Sequence, residues 1–430
     1  MRVFGFVMQE SAAKFIMADI MYAFRHVTSE YAWIDLGTWE KKLLKLPHEK
    51  RRGEIDSLIA KIHDFNPDFI VSYGIEAFSP LFSEIIEDET RPFFSYIRPI
   101  PFLCFFFDFG LPFTDRVPAE KIPLIHNMQG HQFFFLCWDK DAIKIMNDKG
   151  ITKCIYFPMG VNQNIYKRIE MDREELQEYQ CDLCFIGGPT VERIKILEII
   201  HNKNLRIYGY DEEQWCNSPL LKPHFCHTVF DQAELVRIYN GSLATVNITR
   251  AHGKSSLNMR AYEAMACGSL LLTDDKPDAR ELFVPDEEII IYSNGEDLRE
   301  KAEWVTKNRD EAMVIASRGM ERVLEEHTYQ RRIRGLMPQI ERFVREYRLL
   351  EDIVMEVVNQ NTSNAMKQIK SLLDGEQKPF NAYLSHYIMA KIFYATGEID
   401  FAKQSLNKSL LENPHFIRSI KMKKDIEGMA

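Results

Sequence analysis

A chain of 430 residues is too long for one ordinary core and fits two domains plus a further module. Hydrophobic content of 46%, with 12% aromatic residues, supplies packed cores and excludes wholesale disorder. The formal net charge of -9 and the lack of a long Lys/Arg run exclude a large basic groove for nucleic acid. The local basic run Lys41, Lys42, Lys45, Lys50, Arg51 and Arg52 reads as a solvated helix face.

The opening MRVFGFVMQES lacks the charged region, long apolar stretch and cleavage site of a secretory signal, so a cytoplasmic protein is expected. Over residues 1–165 the short apolar runs RVFGFVM, YAWIDLG, DFIVSYG, PFLCFFF, QFFFLCW and CIYFP alternate with amphipathic stretches at 11–26, 53–65 and 139–149, the last stopped by Gly150. That alternation predicts strand-helix units around a parallel sheet. The longest apolar run, PFLCFFFDFGLPF at 101–113, is broken by Asp108 and Pro112 and is too short to span a bilayer, so it reads as a buried strand.

The charged stretch 167–180 predicts a crossing between domains. A second alternating set occupies 180–340, with strands in DLCFIGG, LRIYGY, LATVNIT, SLLLTDD and EIIIYSN and helices at 190–200, 231–240, 258–265 and 298–308. The expected fold is α/β: two Rossmann-like, doubly wound domains facing a cleft, with ligands at the carboxyl ends of the strands. From 341 to 430 helical patterns dominate, and Ala390, Phe393, Gly397, Ala402, Leu406 and Pro414 have the offsets of one tetratricopeptide repeat. NAMKQIKSLL reads as a helix of a degenerate neighbour; a protein-binding surface and a plain helical cap are the two readings of this tail.

Eight cysteines are spread mostly through apolar strand-like runs, which suits reduced thiols better than a disulfide framework. Cys181 and Cys184 have the spacing of half a zinc or redox site, with only Cys216, Cys226 and His227 nearby and no second pair. No metal site is expected, since structural zinc needs four convergent ligands.

Two segments carry candidate chemistry. In DLCFIGGPTVERIKILEII, Gly187 and Gly188 follow a buried strand, where backbone N–H groups can approach a phosphate at a helix start, and Arg193 can add a charge-assisted contact. A tight turn is the plainer reading of that pair. In NITRAHGKSSLNMRAYEAMACGSLLLTDD a polar loop with Arg250, His252, Lys254, Ser255 and Ser256 leads into a helix carrying Arg260 and Glu263, between two apolar strands. So much polarity there calls for a polar ligand. Glu263 can accept both hydroxyls of a ribose, and Arg260 or Lys254 can neutralise diphosphate oxygens; simple pairing of Glu263 with Arg260 on the helix is the alternative.

The block RAYEAMACGSLLLTDD, followed by ELF and an Ile-rich strand ending in YSN, resembles the carboxyl half of the CgeB-like glycosyltransferases, relatives of the group-1 GT-B family. FNPDFIVSYG, FFFDFG, ITKCIYFPMGVN and DLCFIGG extend the resemblance over residues 1–335. It implies a GT-B fold and a UDP- or GDP-linked sugar donor held by the second domain, with Glu263 on the ribose, Gly187 and Gly188 near the diphosphate, and Arg250, Lys254 and Arg260 stabilising the leaving group without a metal. Ser255, Tyr208 and Thr273 join the expected donor site. The acceptor implied is a hydroxyl on a protein or an envelope glycan, with the tail as a partner surface.

The chain departs from the group-1 pattern, which pairs two glutamates eight positions apart: Ser255 holds the upstream position. For an acceptor base, Glu10, Glu76, Asp108, His126 and His131 lie near ends of amino-domain strands. Asp108 is the first choice because it ends a wholly apolar strand, a turn or helix-cap aspartate being the alternative. His252 is a second catalytic candidate. Rival functions are a sugar-nucleotide epimerase, a non-catalytic scaffold favoured by Ser255, and a DNA-modifying enzyme disfavoured by the acidic charge.

Overall fold

The computed structural model describes residues 1–7, 14–73, 100–106, 133–148, 153–229, 231–249, 253–414 and 416–428. Asp108, Arg250, His252, Glu10, Glu76, His126, His131 and Gly150 lie outside the described residues. The chain divides into two compact units, one of 1–137, 141–156 and 335–430, the other of 138–140 and 157–334.

The first unit holds a six-stranded parallel sheet in the order β2-β1-β3-β4-β5-β6, formed by Arg2–Val7 (β1), Glu30–Asp35 (β2), Phe69–Tyr73 (β3), Phe102–Phe106 (β4), Phe133–Cys137 (β5) and Cys154–Tyr156 (β6). Phe133–Cys137 is buried throughout, as a strand covered on both faces must be, which is why FFFLC shows no polar alternation. The edge strand Glu30–Asp35 is largely exposed and accordingly carries charge. Helix Leu36–Leu44 starts directly after Asp35, so Leu36 and Gly37 of the run YAWIDLG belong to the helix, on which Lys41 and Lys42 also stand.

The carboxyl-terminal helices belong to this first unit. Phe134 of β5 stacks on Phe343 with ring centroids 5.0 Å apart and meets the edge of Phe380 at 5.2 Å. Arg348 reaches Asp68 at 2.5 Å. Beyond them, helices Ala382–Ala395 and Ile399–Glu412 form a hairpin in which Ala390, Ala402 and Leu406 are fully buried. Gly397 takes φ 82° at the turn, a left-handed conformation that glycine adopts without strain.

The second unit holds another parallel sheet, in the order β12-β11-β10-β7-β8-β9, made of Cys181–Ile186 (β7), Leu205–Tyr208 (β8), Phe225–His227 (β9), Ser242–Asn247 (β10), Leu270–Asp274 (β11) and Ile290–Tyr292 (β12). Its core joins Leu183, Leu205, Ile207, Val246, Leu270 and Leu272 to Leu197, Leu298 and Val305 of the covering helices. Each such side chain taken from water contributes roughly 2 kcal/mol. β9 escaped the sequence reading because its three residues, Phe-Cys-His, are half-exposed and carry no hydrophobic run. Strand order reverses between β10 and β7, and such a switch point leaves a crevice outside the carboxyl ends of the two strands. Among the described residues no helix is long and apolar enough to cross a membrane.

Candidate functional site

At the switch point of the second sheet, Arg193 joins Gly188 to Ile248, and Asn258, at the start of the helix carrying Arg260 and Glu263, bonds Asn247 at the end of β10. Gly187 and Gly188 leave β7 at this edge, with the Gly187 N–H donating to Tyr208 O at 2.9 Å. A side chain at position 188 would collide with the ring of Tyr210, so glycine lets that ring lie against the turn. Tyr210, 44% exposed, is an aromatic surface on the glycine turn that the sequence reading passed over although it ends the run LRIYGY.

Arg193, expected to contact a phosphate, is engaged by backbone carbonyls. It is 1% exposed, with Nη1 donating to Gly188 O at 2.9 Å and Nε and Nη2 donating to Ile248 O at 3.2 and 2.7 Å. The guanidinium ties the turn after β7 to the end of β10 across the switch point. Thr190 caps its helix, accepting from Arg193 N at 3.2 Å.

After β10 a polar lattice replaces the apolar core. Asn247 donates to Thr273 Oγ1 at 3.1 Å and accepts from Asn258 Nδ2 at 2.8 Å, while Thr249 donates through N–H and hydroxyl to Asp274 Oδ1. Asn258 caps helix Met259–Ala266 by accepting from Arg260 N at 3.1 Å. Thr273 is fully buried on β11, and Tyr208 on β8 is 1% exposed with its ring edge on His227. Lys254 is exposed and Arg260 half-buried.

Ser255 is also engaged. Its N–H and hydroxyl donate to the two carboxylate oxygens of Asp139 at 3.1 and 3.0 Å, its Oγ accepts from Lys140 N at 3.1 Å, and Ser256 donates to Trp138 O at 2.6 Å. The pair therefore anchors the loop to segment 138–140 of the same unit. Asp139 was missed, although it directly follows the apolar run QFFFLCW, the signal that singled out Asp108.

Glu263 is 4% exposed, and Tyr239 donates to its Oε2 at 3.2 Å. Burial pushes its carboxyl up from 4.5 to about 7, against the hydrogen bonds of Tyr166 and Tyr239 and the charge of Arg260, which pull it down. The folded protein thus holds this proton more tightly than the unfolded chain, so the stability it contributes is lost as pH rises from 4.5 through about 7. Thermal melts at pH 5 and pH 8 are expected to show Glu263→Gln gaining on the wild type by on the order of 3 kcal/mol over this window. A parallel pH profile for the two proteins would contradict the buried titration.

Among the described residues no three His, Cys, Asp or Glu side chains converge on a metal position. Cys181 and Cys184 instead contact the hydroxyls of Ser242 and Thr245 at 3.2 and 3.3 Å.

Solved structures share this architecture. HepE of Anabaena, in complex with UDP-glucose, superposes with a TM-score of 0.58 at 10% identity, covering 79% of this chain and 99% of that one. A glycosyltransferase from Rickettsia africae gives 0.58 at 12% identity over 80% and 98%, and sucrose-phosphate synthase from Thermosynechococcus elongatus gives 0.55 at 11% over 79% and 98%. The two parallel six-stranded sheets with flanking helices are those of the GT-B fold, and this chain also carries a helical carboxyl-terminal region. At the sequence level, residues 191–338 match the model of a family described as glycosyl transferase-like. No curated protein matches the chain.

Proposed function

We propose that this chain is a cytoplasmic glycosyltransferase that moves a sugar from a nucleotide-diphospho-sugar, UDP-linked in the first instance and GDP-linked as the alternative, to a hydroxyl acceptor. The observation that carries the reading is Glu263, a buried carboxylate oriented by tyrosine, within the segment that matches the glycosyl transferase-like model. The UDP-glucose bound in the Anabaena structure supports the choice of donor. Glu263 accepts the ribose hydroxyls, and the turn at Gly187 and Gly188, through the Gly188 N–H, and the start of helix Val191–Ile199 face the diphosphate.

Departure of the nucleoside diphosphate places charge on the β-phosphate, and Lys254 and Arg260, with Arg250, neutralise it in this proposal without a metal ion. His252 contacts the sugar or phosphates, and Asp108 takes the acceptor proton if the configuration inverts. Arg193 acts one step back, by fixing the glycine turn. The acceptor is a protein or envelope glycan, and the helical tail, read as tetratricopeptide-like, is the surface that presents it. The relationship to CgeB-like enzymes is part of the same proposal.

Labelled UDP-glucose incubated with purified protein tests the reading through slow release of free glucose and UDP, with or without EDTA. An epimerised nucleotide sugar would identify an epimerase instead, and an unchanged donor bound by nothing would identify a scaffold. Tyr210, exposed on the glycine turn, offers a face for the base; Tyr210→Ala is expected to weaken UDP binding roughly tenfold, the scale of one base–aromatic stack. Unchanged UDP affinity in calorimetry would remove Tyr210 from the site.

A further inference from the structure

Within the first unit three sulfur atoms meet. Cys137 Sγ on β5 lies 3.0 Å from Cys154 Sγ on β6 and 3.1 Å from Met146 Sδ, and Cys154 Sγ lies 3.4 Å from Met146 Sδ. Met146 reaches them from helix Lys140–Asp148, which connects the two strands. Cys137 and Met146 are fully buried, whereas Cys154 is half-buried on the edge strand of the sheet, which gives a route in from solvent.

Strand register argues against reading the two thiols as a disulfide in waiting. Cys137 is paired with Tyr156 and Cys154 with Phe135, so the cysteines stand two positions out of register on neighbouring parallel strands. With strands about 4.8 Å apart and about 3.3 Å of rise per residue, their Cα atoms are roughly 8 Å apart. A disulfide closes over less than about 7 Å. An ion between two sulfurs has no such limit, since it adds two metal–sulfur bonds to the span.

We propose that Cys137, Cys154 and Met146 form a binding site for one soft monovalent cation of the Cu(I) or Ag(I) class. Two thiolates and a thioether are the ligand set such ions prefer, and hard cations demand oxygen ligands. Zinc demands four ligands, and among the described residues no larger His, Cys, Asp or Glu group stands here. Trigonal ligation with metal–sulfur bonds of about 2.3 Å needs sulfurs roughly 4 Å apart. The trio must therefore spread by less than about 1 Å, which the unbranched methionine side chain can accommodate. Binding forms three metal–sulfur bonds, releases the two thiol protons to solvent and moves no electrons.

The test is an anaerobic titration of the reduced full-length chain with Cu(I), supplied as its acetonitrile complex against a competing chelator, and with Ag(I), followed by ultraviolet thiolate-to-metal absorption. One equivalent is expected to bind first; Cys154→Ser is expected to lose it, and the volume-conserving Met146→Leu to weaken it at least about tenfold with unchanged circular dichroism. Cys226→Ser, which alters an exposed thiol elsewhere, serves as the control and is expected to bind as wild type. Equal affinity for the first equivalent in wild type, Cys154→Ser and Met146→Leu would overturn the site. So would ready formation of a Cys137–Cys154 disulfide on treatment with diamide, which would make the pair a redox couple.

Discussion

Glu263→Gln is expected to raise the dissociation constant for the sugar-nucleotide donor about 100-fold without unfolding the protein. A carboxylate accepting two ribose hydroxyls contributes roughly 1.5 kcal/mol or more per bond, and a neutral amide keeps the shape with only one acceptor oxygen. The fold should tolerate the change because ionised Glu263 is itself costly: its carboxyl titrates at about 7 in a site that is 4% exposed. Donor affinity in the wild type is expected to rise as pH increases through 7, where the carboxylate forms, and the Gln variant should lose that rise. Calorimetric titrations at pH 6 and pH 8 check both, and wild-type affinity in Glu263→Gln would remove the residue from the ribose.

Arg193→Ala is expected to lower stability by about 3–5 kcal/mol, because it strips the carbonyls of Gly188 and Ile248 of their buried donors and leaves a void beside Phe185. In a unit of this size that is a fall on the order of 10 °C in Tm. Arg193→Lys should recover only part of it, since one ammonium cannot reproduce a planar fork spanning two carbonyls. A melting temperature within about 2 °C of wild type for Arg193→Ala would show that the clamp between β7 and β10 is dispensable.

The strands were readable where both faces are buried. FLCFF, FFFLC and the LLL that opens LLLTD declare themselves by unbroken apolar runs, because a parallel strand under helices has no wet face. β9 and the start of helix Leu36–Leu44 were not, since the first is short and half-exposed and the second begins without a break after the strand before it.

At the site, the loop and helix carrying Glu263 stood out as polar residues between apolar strands. The side chains that hold them did not, because they come from far along the chain: Tyr239 is 24 positions from Glu263, and Asp139 is 116 from Ser255. Arg193 was legible in principle. It is four positions before Leu197, and the two are the buried residues of their helix, so it shares the face that packs on the sheet.

Isothermal calorimetry of wild type and Glu263→Gln with UDP-glucose, and with a GDP-linked sugar for comparison, each with and without EDTA, bears most directly on the proposed donor site. Selective binding of one nucleotide sugar to the wild type, insensitive to the chelator and lost in the variant, is the expected result. Absence of binding with every sugar nucleotide, or equal binding by both proteins, would contradict the assignment of this edge of the second sheet as the donor site.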